Sequence, residues 1–396
     1  MEYPPIDRRI VDPPDPNHTR HIHIKDKMSR VNLLAVDNYQ PAGPSSTERR
    51  RLFPGTPPRG QASGMTSLTA PLRLRLQTPA DLLAAVPYLL GFHPADSLVM
   101  LGMRDTGLVF HARGDLPPPG SAPDKTAAYA RYLAAVLDSQ PVTGVVLVGY
   151  GAPERVTPAI LATGDAVTAT GVTVLDQLRV EAARYWSYLC TEPSCCPPDG
   201  VPYQVTGTVV AAEATLAGCV ALPDRATLVR SLGPPRGPGL SAIRRATAAA
   251  EQRRATTPTD QLAGAGRACV RDAVARHTSG GRLTDDEVAW LTVLLNVDRD
   301  LRSDALTLID VDHGVAGHNA GHVALWIDVV RRCDPDLVVA PAVLLAYACW
   351  REGDGVRAGV AVERALGTEP TAPAALLMAE LLRRAVPPSV AEVHRL

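Results

Sequence analysis

Three of the seven cysteines, Cys190, Cys195 and Cys196, fall in one short stretch, residues 184–200, beside Tyr185, Trp186 and Tyr188 in a chain that is only 4% aromatic. Cysteine thiolates serve as zinc ligands, redox pairs and nucleophiles, so the spacing admits three chemistries. A structural zinc site takes four ligands, and adjacent cysteines rarely both reach one tetrahedral ion without help; Cys219 or a distant histidine would have to complete the set. A redox pair would join Cys190 to Cys195 or Cys196. A nucleophilic thiolate wants a base nearby, yet the chain has no histidine between His111 and His277. Against all three stands plain packing. Small cysteine side chains, with Trp186 and Tyr188 as anchors, would hold a rigid Pro197-Pro198-Asp199-Gly200 turn against a sheet.

Three other clusters carry chemistry-bearing residue types. Asp310, Asp312, His313, His318 and His322 form a dense ligand-type group, and His318 and His322 share a helix face by their spacing of four. The metalloprotease pattern needs a glutamate after the first histidine, and that position is Asn319. Gly149-Tyr-Gly151-Ala-Pro153-Glu154 follows an apolar run and opens a helix, where backbone amides receive phosphates. Gly149 and Gly151 are therefore candidate binding glycines. Glu154 occupies the place of the third glycine and would repel an anion; a tight turn with Pro153 opening the helix accounts for the same residues. His93, Asp96 and Ser97 share one loop, but triads assemble from separated segments, and a turn entering a strand explains them equally.

The elements that must position these residues alternate. Residues 72–76 alternate apolar and arginine as a half-buried strand does; Thr78-Pro79 then caps a helix running to 90, closed by Gly91. Strands follow at 97–103 and 108–115 around an Asp105-Thr106-Gly107 hairpin turn, then a helix at 124–138, a strand at 142–148, a helix at 154–170 and a strand at 172–180. Strands separated by helices of this length predict a mixed, mainly parallel sheet covered by helices. Short helices at 208–219 and 224–232 close this α/β domain, residues 65–232. A Gly/Pro-rich linker, 233–240, leads to an all-α domain, 241–396, whose helix at 284–296 opens on a Thr284/Glu287 capping box. Gly353, Asp354, Ala358, Ala365 and Pro370 stand at tetratricopeptide spacing, which predicts a helical hairpin leaning on the helices before it.

Composition narrows the functional classes. A formal net charge of -1 offers no field for nucleic acid, and no apolar run is long enough to cross a bilayer. Seven cysteines spread over 396 residues point to reduced thiols and a cytoplasmic setting. Residues 1–64, with proline clusters and a single apolar patch near 31–36, are expected to form a disordered tail; Met65 is the expected native start. Within that tail His18, His21, His23 and Arg49-Arg50-Arg51 offer a weak metal or phosphate patch, against the plainer reading of a solvated tail.

The run from Thr78 through Gly91-Phe-His-Pro-Ala-Asp-Ser-Leu-Val99, the segment Cys190, Cys195-Cys196-Pro197-Pro-Asp-Gly200 and His322-Val-Ala-Leu-Trp326 resemble an actinobacterial family defined by a domain of unknown function. The resemblance covers roughly residues 72–388, and His313 and His318 stand outside its pattern. It implies an intracellular protein with an α/β part and a helical part, and brings no activity or catalytic residues with it. The expectation is a cytoplasmic binding or regulatory protein, meeting a protein partner through its C-terminal helices and holding a small ligand at the carboxyl ends of its strands. The alternative is a metal- or thiol-dependent hydrolase or transferase at the Cys190, Cys195 and Cys196 loop, with zinc as cofactor. Neither nucleic acid nor a membrane is an expected partner.

Overall fold

The computed structural model describes residues 31–34, 73–313 and 318–390. Among these residues eight strands form one mixed sheet: β1 (Val31–Leu34), β2 (Arg73–Leu76), β3 (Ser97–Arg104), β4 (Gly107–Asp115), β5 (Gly144–Tyr150), β6 (Thr173–Glu181), β7 (Arg184–Ser187) and β8 (Val201–Pro202), in the order β2-β1-β4-β3-β5-β6-β7-β8. The other residues before 73, including the histidine and arginine clusters and Met65, lie outside the described residues. Val31–Leu34, inside the stretch read as a tail, is a strand: its apolar run pairs antiparallel with β2 and parallel with β4.

The sheet is mixed, but its predominantly parallel character is corrected. Among the described residues only β1 with β4 and β5 with β6 pair in parallel; the remaining neighbours are antiparallel. The helices do connect strands of one direction. From β4, α2 (Pro123–Asp138) crosses to β5, and from β5, α3 (Pro153–Thr168) crosses to β6. What alternation alone hides is the place of the hairpin: β3 inserts between β4 and β5 and runs opposite to both.

Two apolar layers clamp the sheet. On one face Leu98, Met100, Val145 and Leu147 meet Leu133 and Leu137 of α2 and Val156 and Ile160 of α3. On the other, Val99, Leu101, Val146 and Val148 meet Leu82, Leu83 and Val86 of α1 (Pro79–Leu90). The helix α1 begins at a capping box between Thr78 and Asp81 with Pro79 in the first turn, and stops where Gly91 turns to φ 76°. Every residue of β5 is buried, and each buried Val or Leu contributes about 1.5–3 kcal/mol.

Beyond α4 (Val209–Leu216) and α5 (Arg225–Ser231) the described chain is helical: α6 (Pro238–Thr256), α7 (Thr259–Thr278), α8 (Asp285–Val297), α9 (Arg299–Asp312), α10 (His318–Arg332), α11 (Val339–Arg351), α12 (Gly355–Thr368) and α13 (Pro373–Arg383). The helix α6 already starts at Pro238, inside the expected linker. Helices α11 and α12 form a close hairpin about Gly353, φ 78°, with Asp354 capping α12, and Ala358, Ala361 and Ala365 are fully buried. One apolar cluster runs from Leu76 of the sheet to Met378 of α13, so both parts share a core.

Candidate functional site: the cysteine loop

The three clustered cysteines sit in the connection from β7 to β8. A two-residue turn, Ala182-Ala183, both at positive φ, folds β7 back on β6. Arg184 and Tyr185 then pair with Pro202 and Val201, closing the base of the loop. Its far side is tied down by Trp186, whose indole Nε1–H donates to the Pro198 carbonyl at 2.9 Å, and by Arg184, whose Nη1 donates to the carbonyls of Asp199 and Gly200 at 3.0 and 2.8 Å. The Arg179 guanidinium stacks on the Trp186 ring, 3.8 Å from its centroid, and is paired with Glu181 at 2.6 Å. The turn expected at Pro197–Gly200 is present, closed by the Gly200 N–H donating to the Pro197 carbonyl at 2.8 Å.

A buried carboxylate sets the near side. Asp176 in β6 accepts from the Ser187 hydroxyl at 2.7 Å, and Ser187 Oγ accepts the backbone N–H groups of Leu189 and Cys190 at 3.1 and 3.0 Å. Burial raises the pKa of Asp176, opposed by its hydrogen bonds to Ser187 and the Gln177 N–H. The Glu192 carbonyl accepts from both Cys195 and Cys196, at 3.0 and 2.7 Å. Held this way, the sulfurs of Cys190, Cys195 and Cys196 all lie within 4.8 Å of one another. Cys195 is exposed and the other two are half-buried. The Cys196 thiol is pushed up by burial and then by its two sulfur neighbours; Tyr185 is pushed up to about 12, by burial first and then by the cysteines and Asp176.

The run that follows Thr78, from Pro79 to Val99, and the Cys190 to Gly200 loop both fall inside a longer match. The family described as "Domain of unknown function (DUF4192)" matches residues 79–389. The chain belongs to this family. No curated protein and no solved structure matches it.

The other candidate clusters of this DUF4192 chain lie apart from the cysteine loop. Gly149 is where α3 approaches β5: a Cβ there would stand 2.2 Å from Val156 Cγ1. The Gly151 N–H already donates to the Val180 carbonyl at 3.0 Å, and the nearby Asp96 carboxylate lies 3.6 Å from the Arg155 guanidinium. Both glycines thus have packing or turn reasons, and an anion entering would meet Asp96 and Glu154. Ser97 is buried at the start of β3, as a turn entering a strand requires.

In the helical part, His322 is fully buried with Nε2 2.8 Å from Asp312 Oδ2. Asp310 accepts from the Tyr347 hydroxyl at 2.9 Å and pairs with Arg351 Nε at 3.0 Å. The side chain of His318 lies outside the described residues. A cleft of about 560 Å³ opens between Asp165 and Thr168 of α3 and Thr173 of β6, walled by Tyr188 and Leu189. It lies at the amino end of β6, away from the carboxyl ends of the parallel pair. Sequence reasoning passed over Asp176 and Ser187, although two polar residues in mid-strand, Asp176-Gln177, are a signal of buried hydrogen bonding.

Proposed function

We propose that the protein is a binding protein of regulatory kind whose ligand is a soft divalent cation, zinc first, taken by the thiolates of Cys190, Cys195 and Cys196. The observation that supports this reading is the convergence of three sulfurs within 4.8 Å on a loop pinned at both ends. A tetrahedral zinc with Zn–S bonds of about 2.3 Å needs sulfurs about 3.8 Å apart, a contraction of about 1 Å at most. Among the described residues the group comprises these three, so water or an added ligand would take the fourth position. A metal-dependent hydrolase or transferase at the same loop would use the same sulfurs, and cation uptake is the step it shares with this reading. A reducing, cytoplasmic setting in an actinobacterium suits seven free thiols; no described helix is long and apolar enough to cross a membrane.

The test is cobalt(II) and zinc(II) titration of the reduced, metal-stripped full chain. One equivalent of cobalt should give a thiolate-to-metal charge-transfer band, displaced by zinc, retained in C219S and lost in C190S, C195S and C196S. Absence of uptake by the wild type overturns the reading.

A second reading, contact with a protein partner through the C-terminal helices, is favoured by Leu376 and Leu377 on α13, 48% and 62% exposed at the end of the helical array. The spacing of Gly353, Ala358, Ala365 and Pro370 supports viewing the α11–α12 hairpin as tetratricopeptide-like, a form suited to that role. A partner co-purifying with the wild type should be lost from L376E/L377E at unchanged thermal unfolding; equal recovery with both proteins would reject this surface.

A further inference from the structure

We infer that the cysteine loop is also a site of reversible oxidation by hydrogen peroxide, with Cys195 meeting the oxidant and Cys190 closing a disulfide on it. The disulfide rests on the geometry alone; its consequence, release of the cation, rests on the thiolate-site reading above.

Covalent geometry selects the pair. Cys195 and Cys196 are sequence neighbours, and a trans peptide holds adjacent Cα atoms about 3.8 Å apart, below the roughly 4.4–6.8 Å that a relaxed disulfide spans. An unstrained disulfide within the trio therefore uses Cys190. Between its two neighbours exposure decides, because Cys195 is exposed to solvent whereas Cys196 is half-buried. The chain between them can adjust. Residues 191–194 are all exposed, while the Cys190 N–H is fixed to Ser187 and the turn after Cys196 is fixed to Trp186 and Arg184. Closing from within 4.8 Å to a bond thus falls on a short solvent-facing link and not on the sheet.

The chemistry balances with peroxide as the only oxidant. The Cys195 thiolate attacks one peroxide oxygen, the O–O bond breaks, and sulfenic acid and hydroxide result. The Cys190 thiolate then attacks the Cys195 sulfur, the S–S bond forms, and the sulfenic hydroxyl leaves as hydroxide and is protonated to water. In sum two thiols and one peroxide give one disulfide and two waters. Two of the three sulfurs that would hold a cation are consumed, so oxidation unloads the site and a thiol reductant restores it.

The experiment treats the reduced, metal-free full chain with one equivalent of hydrogen peroxide, counts thiols by alkylation and mass, and maps the tryptic peptide 185–225. Free thiols should fall from seven to five, with Cys190 linked to Cys195, and return with dithiothreitol. In C190S the disulfide should be absent and Cys195 should instead be trapped by dimedone as sulfenic acid. The zinc-loaded protein should release its zinc to a chromophoric chelator as the disulfide forms. Seven remaining thiols, a disulfide that omits Cys190, or two thiols still lost in C190S overturns the inference. A protein that forms the disulfide but never takes up zinc sustains the oxidation and rejects only the cation reading; one that binds zinc and keeps all seven thiols does the reverse.

Discussion

Gly200 shows how one residue holds the cysteine loop in place. Its φ of 77° lies in the left-handed region, and a Cβ would stand 2.5 Å from Cε2 of the Trp186 indole. The indole cannot retreat freely, because its Nε1–H is bonded to Pro198 and the Arg179 guanidinium stacks on its ring. Gly200→Ala therefore meets both backbone strain and a displaced ring, and should cost about 1–3 kcal/mol in urea unfolding. It should also weaken cobalt uptake, since the turn it distorts begins directly after Cys196. Gly207 supplies the comparison: its φ is 76° but nothing lies within 4 Å of its Cβ position, so Gly207→Ala should carry the strain alone and leave cobalt uptake unchanged. Equal effects of the two substitutions on uptake would show that Trp186 does not brace the site.

Elements were legible in the sequence where a local signal marked their ends. The Thr78 N-cap and the Thr284/Glu287 capping box are present as the sequence predicts, and Asp81 makes a box of the first as well, because a side-chain oxygen three residues from a carboxylate satisfies backbone N–H groups at a helix start whatever surrounds it. The hairpin between β3 and β4 was legible from Asp105 and Gly107 for a similar reason. The strand β7 was not. Its turn is made by Ala182 and Ala183 in left-handed conformation, and alanine carries none of the signal that glycine or asparagine would. With β7 unseen, residues 184–200 read as one continuous loop, and the register that places Ser187 beside Asp176 could not be inferred. The cysteine trio itself was visible as composition. Its closeness in space depends on Asp176, Ser187 and the Glu192 carbonyl, which act through hydrogen bonds that leave no spacing pattern. Strand direction failed for a related reason: helix length between strands reports that a crossover occurs, not which strand lies between its ends.

At the scale of the whole molecule, the boundary that composition suggests near residue 233 does not separate two cores. A single apolar cluster reaches from Leu76 and Val146 of the sheet part through Leu228 and Ile243 to Trp326, Leu345 and Met378 of the helical part. Polar ties reinforce it at two places. Arg225 pairs with Glu363 between α5 and α12, and the end of α13 is held to α2, where Tyr132 donates to the Arg383 carbonyl at 2.7 Å and Gln140 to the Ala385 carbonyl at 3.0 Å. Opening the helical part alone would expose apolar surface on both sides of this continuous core, at about 25 cal/mol per Å², a cost that links the two parts in one transition. Hydrogen exchange under rising urea reads this without altering the chain. The slowest amides of β5, buried at every position, and of α11, with Leu344, Leu345 and Ala346 buried, should lose protection at the same urea concentration and with the same dependence on it. Protection lost in α11 while β5 remains closed would mean that the shared cluster contributes too little to couple them, and that the glycine- and proline-rich segment before α6 is a true hinge between independently stable units.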